Sequence, residues 1–381
     1  MHLSFDRYLF SVWLFAAVML WPVKINFLNL NIPLISILAV VFCILLSRKL
    51  EFDKSLFTVI VSLFIFCLVS LVQCDGIFIT KSFLSFLSFI PILIVSYYFA
   101  KSHFTENLDR LQIIIRVIFI VTIIFFILQL FGVFNFNKGY RNANQLYAHF
   151  LEPSHLAISL APYILVSIYS SCLKNKILSL IISASSFSTT MIGLFFSVIF
   201  YKSIFKNVGI IFLLVLATAS LFFINEGFNS RISSLYDFFF NENNKLNLSS
   251  KVYIYGYAAG FFNLIETNFI GLGFNAMGCI DISSIDGMFN FFLLNHYDDG
   301  SFLASKVVSE FGLIGIVMLI LLFAKILIVS YKGDEKYVPI SHILSLAFIC
   351  IFFIRSPSYY SIVHLLPFVI FFLRQPLQRK L

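Results

Sequence analysis

Apolar residues in this chain come in unbroken blocks separated by short polar stretches. Stretches such as "SLFTVIVSLFIFCLVSLVQC" (55–74) and "NVGIIFLLVLATASLFFI" (207–224) approach the ~20 residues that carry an α-helix across a hydrocarbon core of about 30 Å. Lipid offers backbone groups no hydrogen-bonding partner, so such blocks must satisfy themselves as helices. The period-two alternation of a membrane barrel strand is missing. The blocks predict membrane segments near 8–23, 30–47, 55–74, 82–100, 111–133, 154–172, 177–187, 189–203, 207–225, 303–330, 337–354 and 358–373. The expected fold is an all-α polytopic transmembrane bundle of about 12 segments in three parts. Residues 1–225 hold nine membrane helices, including a short hairpin at 177–203. Residues 226–302 form one large external loop, and 303–381 hold three more helices and a tail.

Composition supports a membrane protein. Of 381 residues, 60% are hydrophobic and 12% charged, against roughly half and a quarter in soluble domains. The fifty phenylalanines read as lipid-facing filler. A net charge of +8 does not point to nucleic acid, because the basic residues are scattered through loops and make no patch. They report topology instead. The loops "SRKLEFDK", "KSHFTENLDR", "LKNK", "YKSIFKN" and "YKGDEK" and the tail "RQPLQRKL" belong in the cytoplasm by the positive-inside rule. Lys174 and Lys176 before the 177–201 interval, and Lys202 and Lys206 after it, then require a hairpin turning near "SSFSTT", with arms short enough to be re-entrant. Both termini fall inside, while 134–153 and 226–302 fall outside. The N-terminal block has no small-residue cleavage site and reads as a retained span.

Within the large loop, "KVYIYGYAAGFFNLIE" (251–266) has Tyr, Phe and Leu at helical spacing, which predicts an amphipathic helix lying on the membrane surface. Of six cysteines, Cys43, Cys67, Cys172 and Cys350 sit in or beside apolar runs, and no metal-binding spacing appears. Cys74 and Cys279 share the external side but are expected to remain unpaired.

In a chain so poor in charge, "RNANQLYAHFLEPSHLAISL" (141–160) stands out. Glu152, Pro153 and Ser154 suit a helix N-terminus, where Pro tolerates the first turn and a carboxylate complements the dipole. Capping leaves Arg141, His149 and His155 unexplained. Two further external arginines are Arg231 in "NSRISSLYDFF" and Arg355 in "FIRSPSYYS". Each could be a snorkelling side chain, but an arginine kept near a bilayer usually faces a cavity or a partner. Three external guanidiniums suit a ligand rich in phosphate oxygens, such as a lipid-linked diphosphate, because each presents a rigid bidentate fork. His296, beside Asp298 and Asp299, could accept a hydroxyl proton or be a solvated loop histidine. The Asp pair lacks the further oxygen ligands of a divalent-cation site, so no metal is assigned. "GLGF" (271–274) reads as a tight turn, with a phosphate-binding nest as the alternative. "EFGLIG" (310–315) reads as close helix packing through small residues. The spans are otherwise nearly free of charge, with Arg116 and Lys325 near cytoplasmic ends.

On these motifs the chain resembles the Wzy-type polymerases of O-antigen and capsular repeat units, and more distantly the O-antigen ligases. The resemblance spans roughly residues 110–370. It rests on "RNANQLYAHFLEPSHLA", "SSFSTTMIGLFF", an external loop with Gly-x-Gly, E-x-G-L-I-G at the next helix, and an arginine near the outer end of the penultimate span. It implies transfer of a growing glycan from its polyprenyl diphosphate carrier to a sugar hydroxyl of another lipid-linked repeat unit, at the periplasmic face of a bacterial inner membrane. Arg141, Arg231 and Arg355 would then stabilise the departing diphosphate. Glu152 or His296, with His155 behind them, would serve as base. His296 lies several residues earlier than the ligase pattern places its histidine. The implied partners are the lipid-linked donor and acceptor, the bilayer and a chain-length regulator. No cofactor, metal or nucleic acid is expected. An O-antigen ligase and a lipid-linked oligosaccharide flippase or other transporter are the competing functions. A transporter should carry ionisable residues inside its spans and show related halves.

Overall fold

The computed structural model describes residues 2–27, 30–102, 108–133, 150, 153–169, 172–186, 248–280 and 302–331, with the isolated positions 352, 359, 360 and 365. Among these the protein is mostly helical: α1 (His2–Met19), α2 (Leu34–Leu46), α3 (Lys54–Gln73), α4 (Gly76–Ser102), α5 (Leu108–Leu130), α6 (Pro153–Tyr169), α7 (Leu173–Ser186), α8 (Leu248–Glu266) and α9 (Leu303–Tyr331). Four stretches are long and apolar enough to cross a membrane: Lys54–Gln73, Gly76–Lys101, Leu111–Leu130 and Leu303–Ala324. They match four of the expected segments. Only a minority of the residues in the spanning stretches of α3 and α5 are buried by protein. The expected segments at 189–203, 207–225, 337–354 and 358–373 lie largely or wholly outside the described residues.

Two N-terminal elements differ from the expectation. The first helix starts at His2 and stops at Met19, and a β-hairpin follows, pairing β1 (Lys24–Phe27) with β2 (Leu30–Pro33) in antiparallel register. Prolines bracket the change. A residue before proline is disfavoured in the α region, so Pro22 follows a broken turn and Pro33 leaves the helix to begin at Leu34. The helical part of the second block is 13 residues, about 20 Å of helix, shorter by itself than a hydrocarbon core of about 30 Å.

The chain forms two compact units, one of residues 1–63, 84–194 and 323–381, the other of 64–83 and 195–322. In the first, Phe10, Trp13 and Leu14 of α1 are fully buried. Phe10 packs on Phe99 of α4 and Trp13 on Phe42 of α2. Helix α6 is buried all round from Leu156 to Val166, and the hydroxyl of its Tyr163 donates to the Leu14 carbonyl. Polar groups pair at helix ends. Lys49 meets Asp6. Asp53 caps α3 by accepting the Leu56 amide proton at 3.0 Å, and it also takes the Tyr97 hydroxyl and the Lys101 ammonium. Arg116 of α5 reaches the Asn175 side-chain oxygen and the Cys172 sulfur, each at 3.2 Å. All of these pairs join residues that the charge pattern assigns to one side of the membrane.

In the second unit, α8 packs along the first turns of α9. Gly260 lies against Ser305, where an added Cβ would stand 3.0 Å from the Ser305 oxygen, and the Asn263 side-chain amide donates to the Ser309 hydroxyl at 2.8 Å. The helix predicted at 251–266 is therefore present. Cys74 and Cys279, expected to be free, form a disulfide with Cα atoms 5.5 Å apart, inside the usual 4.4–6.8 Å range. Their 205-residue separation in sequence concealed the proximity; the return of the 267–280 loop to the start of α4 creates it.

Candidate functional site

Of the residues the sequence nominates, the structure describes His155. Arg141, Glu152, Arg231, His296 and Arg355 lie outside the described residues. Pro153 opens α6 as expected, since a first-turn position loses nothing by lacking an N–H. His155 is two residues further on, its ring 5.6 Å from that of Trp21. Trp21 also packs on Phe150 and donates its indole N–H to the Ser159 hydroxyl at 2.6 Å. Ser159 in turn donates to the His155 carbonyl at 2.8 Å. The residues after α1 thus brace the first turn of α6. Trp21 was not anticipated, because an aromatic at the end of an apolar block carries no signal of its partner.

The Gly-x-Gly and E-x-G motifs, far apart in sequence, form one assembly. Gly271 and Gly273 adopt φ of 92° and 100°, so "GLGF" is a tight turn. The Leu272 amide donates to the Ser309 carbonyl at 3.0 Å, and the Gly273 amide to the Glu310 carbonyl at 2.9 Å. The chain then wraps the Glu310 side chain. Its carboxylate accepts the Asn275 amide proton at 2.9 Å and that of Met277 at 3.2 Å. Glu310 is wholly buried and Lys306 is 4% exposed. The Lys306 ammonium sits 3.6 Å from Glu310 Oε1 and donates to Asn275 Oδ1 at 2.6 Å.

No family model, curated protein or solved structure matches the chain. What the site can do must therefore be read from its own chemistry. Successive amides in a turn can make an anion-binding concavity; here two non-adjacent amides, of Asn275 and Met277, hold the chain's own Glu310 carboxylate. The amides of residues 271–274 make no anion nest: they donate to Thr267 Oγ1 and to the carbonyls of Ser309, Glu310 and Phe66, and the amides that hold the carboxylate lie just beyond "GLGF".

The "EFGLIG" segment does more than allow close packing. Gly312 holds φ 57°, ψ −139° and kinks α9. A Cβ there would stand 2.2 Å from the Phe269 carbonyl oxygen, which accepts the Leu313 amide proton at 2.9 Å. The predicted 303–330 span also carries two buried charges, Lys306 and Glu310, beyond the Lys325 noted near its cytoplasmic end. Opposite charges four residues apart on an apolar helix were the available signal.

Proposed function

We propose that this protein is a polysaccharide polymerase of the Wzy type. It transfers a growing glycan from polyprenyl diphosphate to a hydroxyl of another lipid-linked repeat unit at the outer face of a bacterial inner membrane. Both termini lie in the cytoplasm, and 226–302 is the periplasmic loop. The observation that carries the reading is the meeting of two motifs of the resemblance, Gly271-x-Gly273 and Glu310-x-Gly312, in one interlocked assembly. Each is weak alone; their joint packing gives a reason for both to occur in one chain. The bracing of His155 in the first turn of α6 by Trp21 supports a fixed position for this side chain.

Arg141, Arg231 and Arg355 are assigned to the diphosphate, whose negative charge grows as the anomeric bond breaks. Glu152 or His296 takes the acceptor proton, with His155 behind. A ligase would use the same donor chemistry with a lipid A core acceptor. The Lys306–Glu310 pair does not favour a transporter, since both side chains bond to the 275–277 turn.

Single replacement of Arg141, Glu152, Arg231, His296 and Arg355 in a deletion strain, followed by glycan electrophoresis, tests the reading. Polymerase loss yields lipid A core bearing one repeat unit. Ligase loss yields bare core with polymer retained on the carrier. Normal ladders from all five variants at normal expression would refute the site.

A further inference from the structure

We propose that residues 248–279 form a re-entrant element, in which α8 descends from the outer face into the outer leaflet and the chain turns below the end of α3. It returns to the surface at Cys279, and Phe261, Ile265, Phe269 and Ile270 contact lipid acyl chains. The direction follows from three paired positions. Tyr257 stacks near Phe302 with ring centroids 4.2 Å apart, Gly260 lies on Ser305, and Asn263 bonds to Ser309. Each step along α8 is matched by a step in the same direction along α9, whose Leu303–Ala324 stretch is a candidate span. Beyond α8 the register continues, with the Phe269 carbonyl taking the Leu313 amide proton.

The depth of the turn is marked by α3. A Cβ on Gly273 would stand 2.6 Å from the Phe66 oxygen and 2.7 Å from the Ser70 nitrogen, and the Phe274 amide donates to the Phe66 carbonyl at 3.2 Å. Phe66 and Ser70 precede the last residue of α3, Gln73, by roughly 10 and 5 Å at 1.5 Å per residue. The chain then comes back to Cys74, just past that end, through the disulfide of Cys279.

Irregular backbone at such depth is tolerated only where protein satisfies its polar groups. Here the amides of Gly271, Leu272, Gly273, Phe274, Asn275 and Met277 all have partners: Thr267 Oγ1, the carbonyls of Ser309, Glu310 and Phe66, and the Glu310 carboxylate.

The outward face fits hydrocarbon. Phe261, Ile265, Phe269 and Ile270 are each more than half exposed, as are Leu313 and Ile314 of α9. The Phe269–Leu313 hydrogen bond makes the two sets one surface, continuous with the face of a candidate span. Glu266 and Asn268 are exposed at the same end. Glu266 lies about 140° around α8 from Phe261 at ~100° per residue, off the apolar stripe, and its carboxylate needs water. The turn therefore belongs at the boundary of headgroups and chains, the depth an interfacial element reaches.

The test is depth-dependent quenching in the full-length protein reconstituted into phosphatidylcholine vesicles. The variants Phe261→Trp, Ile265→Trp and Phe269→Trp each add one indole, read as a difference from the parent's two tryptophans, with formation of the Cys74–Cys279 bond as the folding control. With lipid brominated along its chains, the added emission should be lost increasingly in the order 261, 265, 269, with little loss to aqueous acrylamide. Equal loss at all three positions means that α8 lies flat and overturns the proposal. Acrylamide quenching without lipid quenching means a water-facing helix, and insensitivity to both means a stripe covered by a second copy or another part of the chain; either result overturns it.

Discussion

Replacing Glu310 with Gln should destabilise the protein by loosening the 275–277 turn that its carboxylate holds. The side chain keeps its shape and one acceptor oxygen, but the negative charge that two backbone amides and Lys306 address is gone. Hydrogen bonds to a charged partner contribute about 1.5–3 kcal/mol each, against about half that for neutral ones. The ammonium of Lys306, 4% exposed, loses its counter-ion, and breaking a buried pair from one side costs about 3–5 kcal/mol. At roughly 3–4 °C per kcal/mol for a cooperative unit near 150 residues, the apparent melting temperature should fall by on the order of 10 °C. Lys306→Met should cost less, because Glu310 keeps both amides. The double variant should be less destabilised than the sum of the two, with coupling of about 1–3 kcal/mol. The assay is thermal unfolding of the purified protein in nanodiscs, followed by intrinsic fluorescence. If both single variants melt with the parent, or the double variant equals their sum, the pair is not the internal anchor of the loop.

Gly312→Ala should fail to build the loop. Its positive φ is strained for an L residue by about 1–3 kcal/mol, and the new methyl meets backbone oxygen at 2.2 Å that cannot rotate away; the readout is a loss of folded protein by size-exclusion chromatography, with Gly76→Ala, which has open space around it, as control. Reducing the Cys74–Cys279 bond should lower the melting temperature by an amount worth about 2 kcal/mol, the lower end for a native disulfide, because the spans stay inserted when the loop opens. A membrane-impermeant maleimide should label both cysteines only after reduction. Asp53 should govern acid stability: the Tyr97 hydroxyl, the Leu56 amide and Lys101 hold its carboxyl down at about 2, against about 3.9 in an unfolded chain. Its contribution is present above about pH 4 and is lost as pH falls toward about 2. Melting curves of Asp53→Asn should lack that portion of the acid dependence; an unchanged profile would remove Asp53 from the account.

The amino-acid sequence alone determined which stretches could cross a bilayer. A run such as 55–74 has no other way to satisfy its backbone in lipid, and α3, α4, α5 and α9 arose where the blocks stood. It determined the start of α6 at Pro153 and the helix at 251–266, because both depend on neighbours a few residues away. Prolines trimmed the first two blocks, an effect that mean apolarity does not register but local backbone preference does. Tertiary structure decided what distant residues do for one another. Nothing in "GLGF" announces that its following amides will hold Glu310, nothing in "EFGLIG" that Gly312 admits the Phe269 carbonyl, and nothing in Cys74 that Cys279 returns to it. Hydropathy and capping act within a turn or two of helix, whereas a buried charge is tolerated only if a particular partner arrives from elsewhere. That arrival depends on where the whole chain runs.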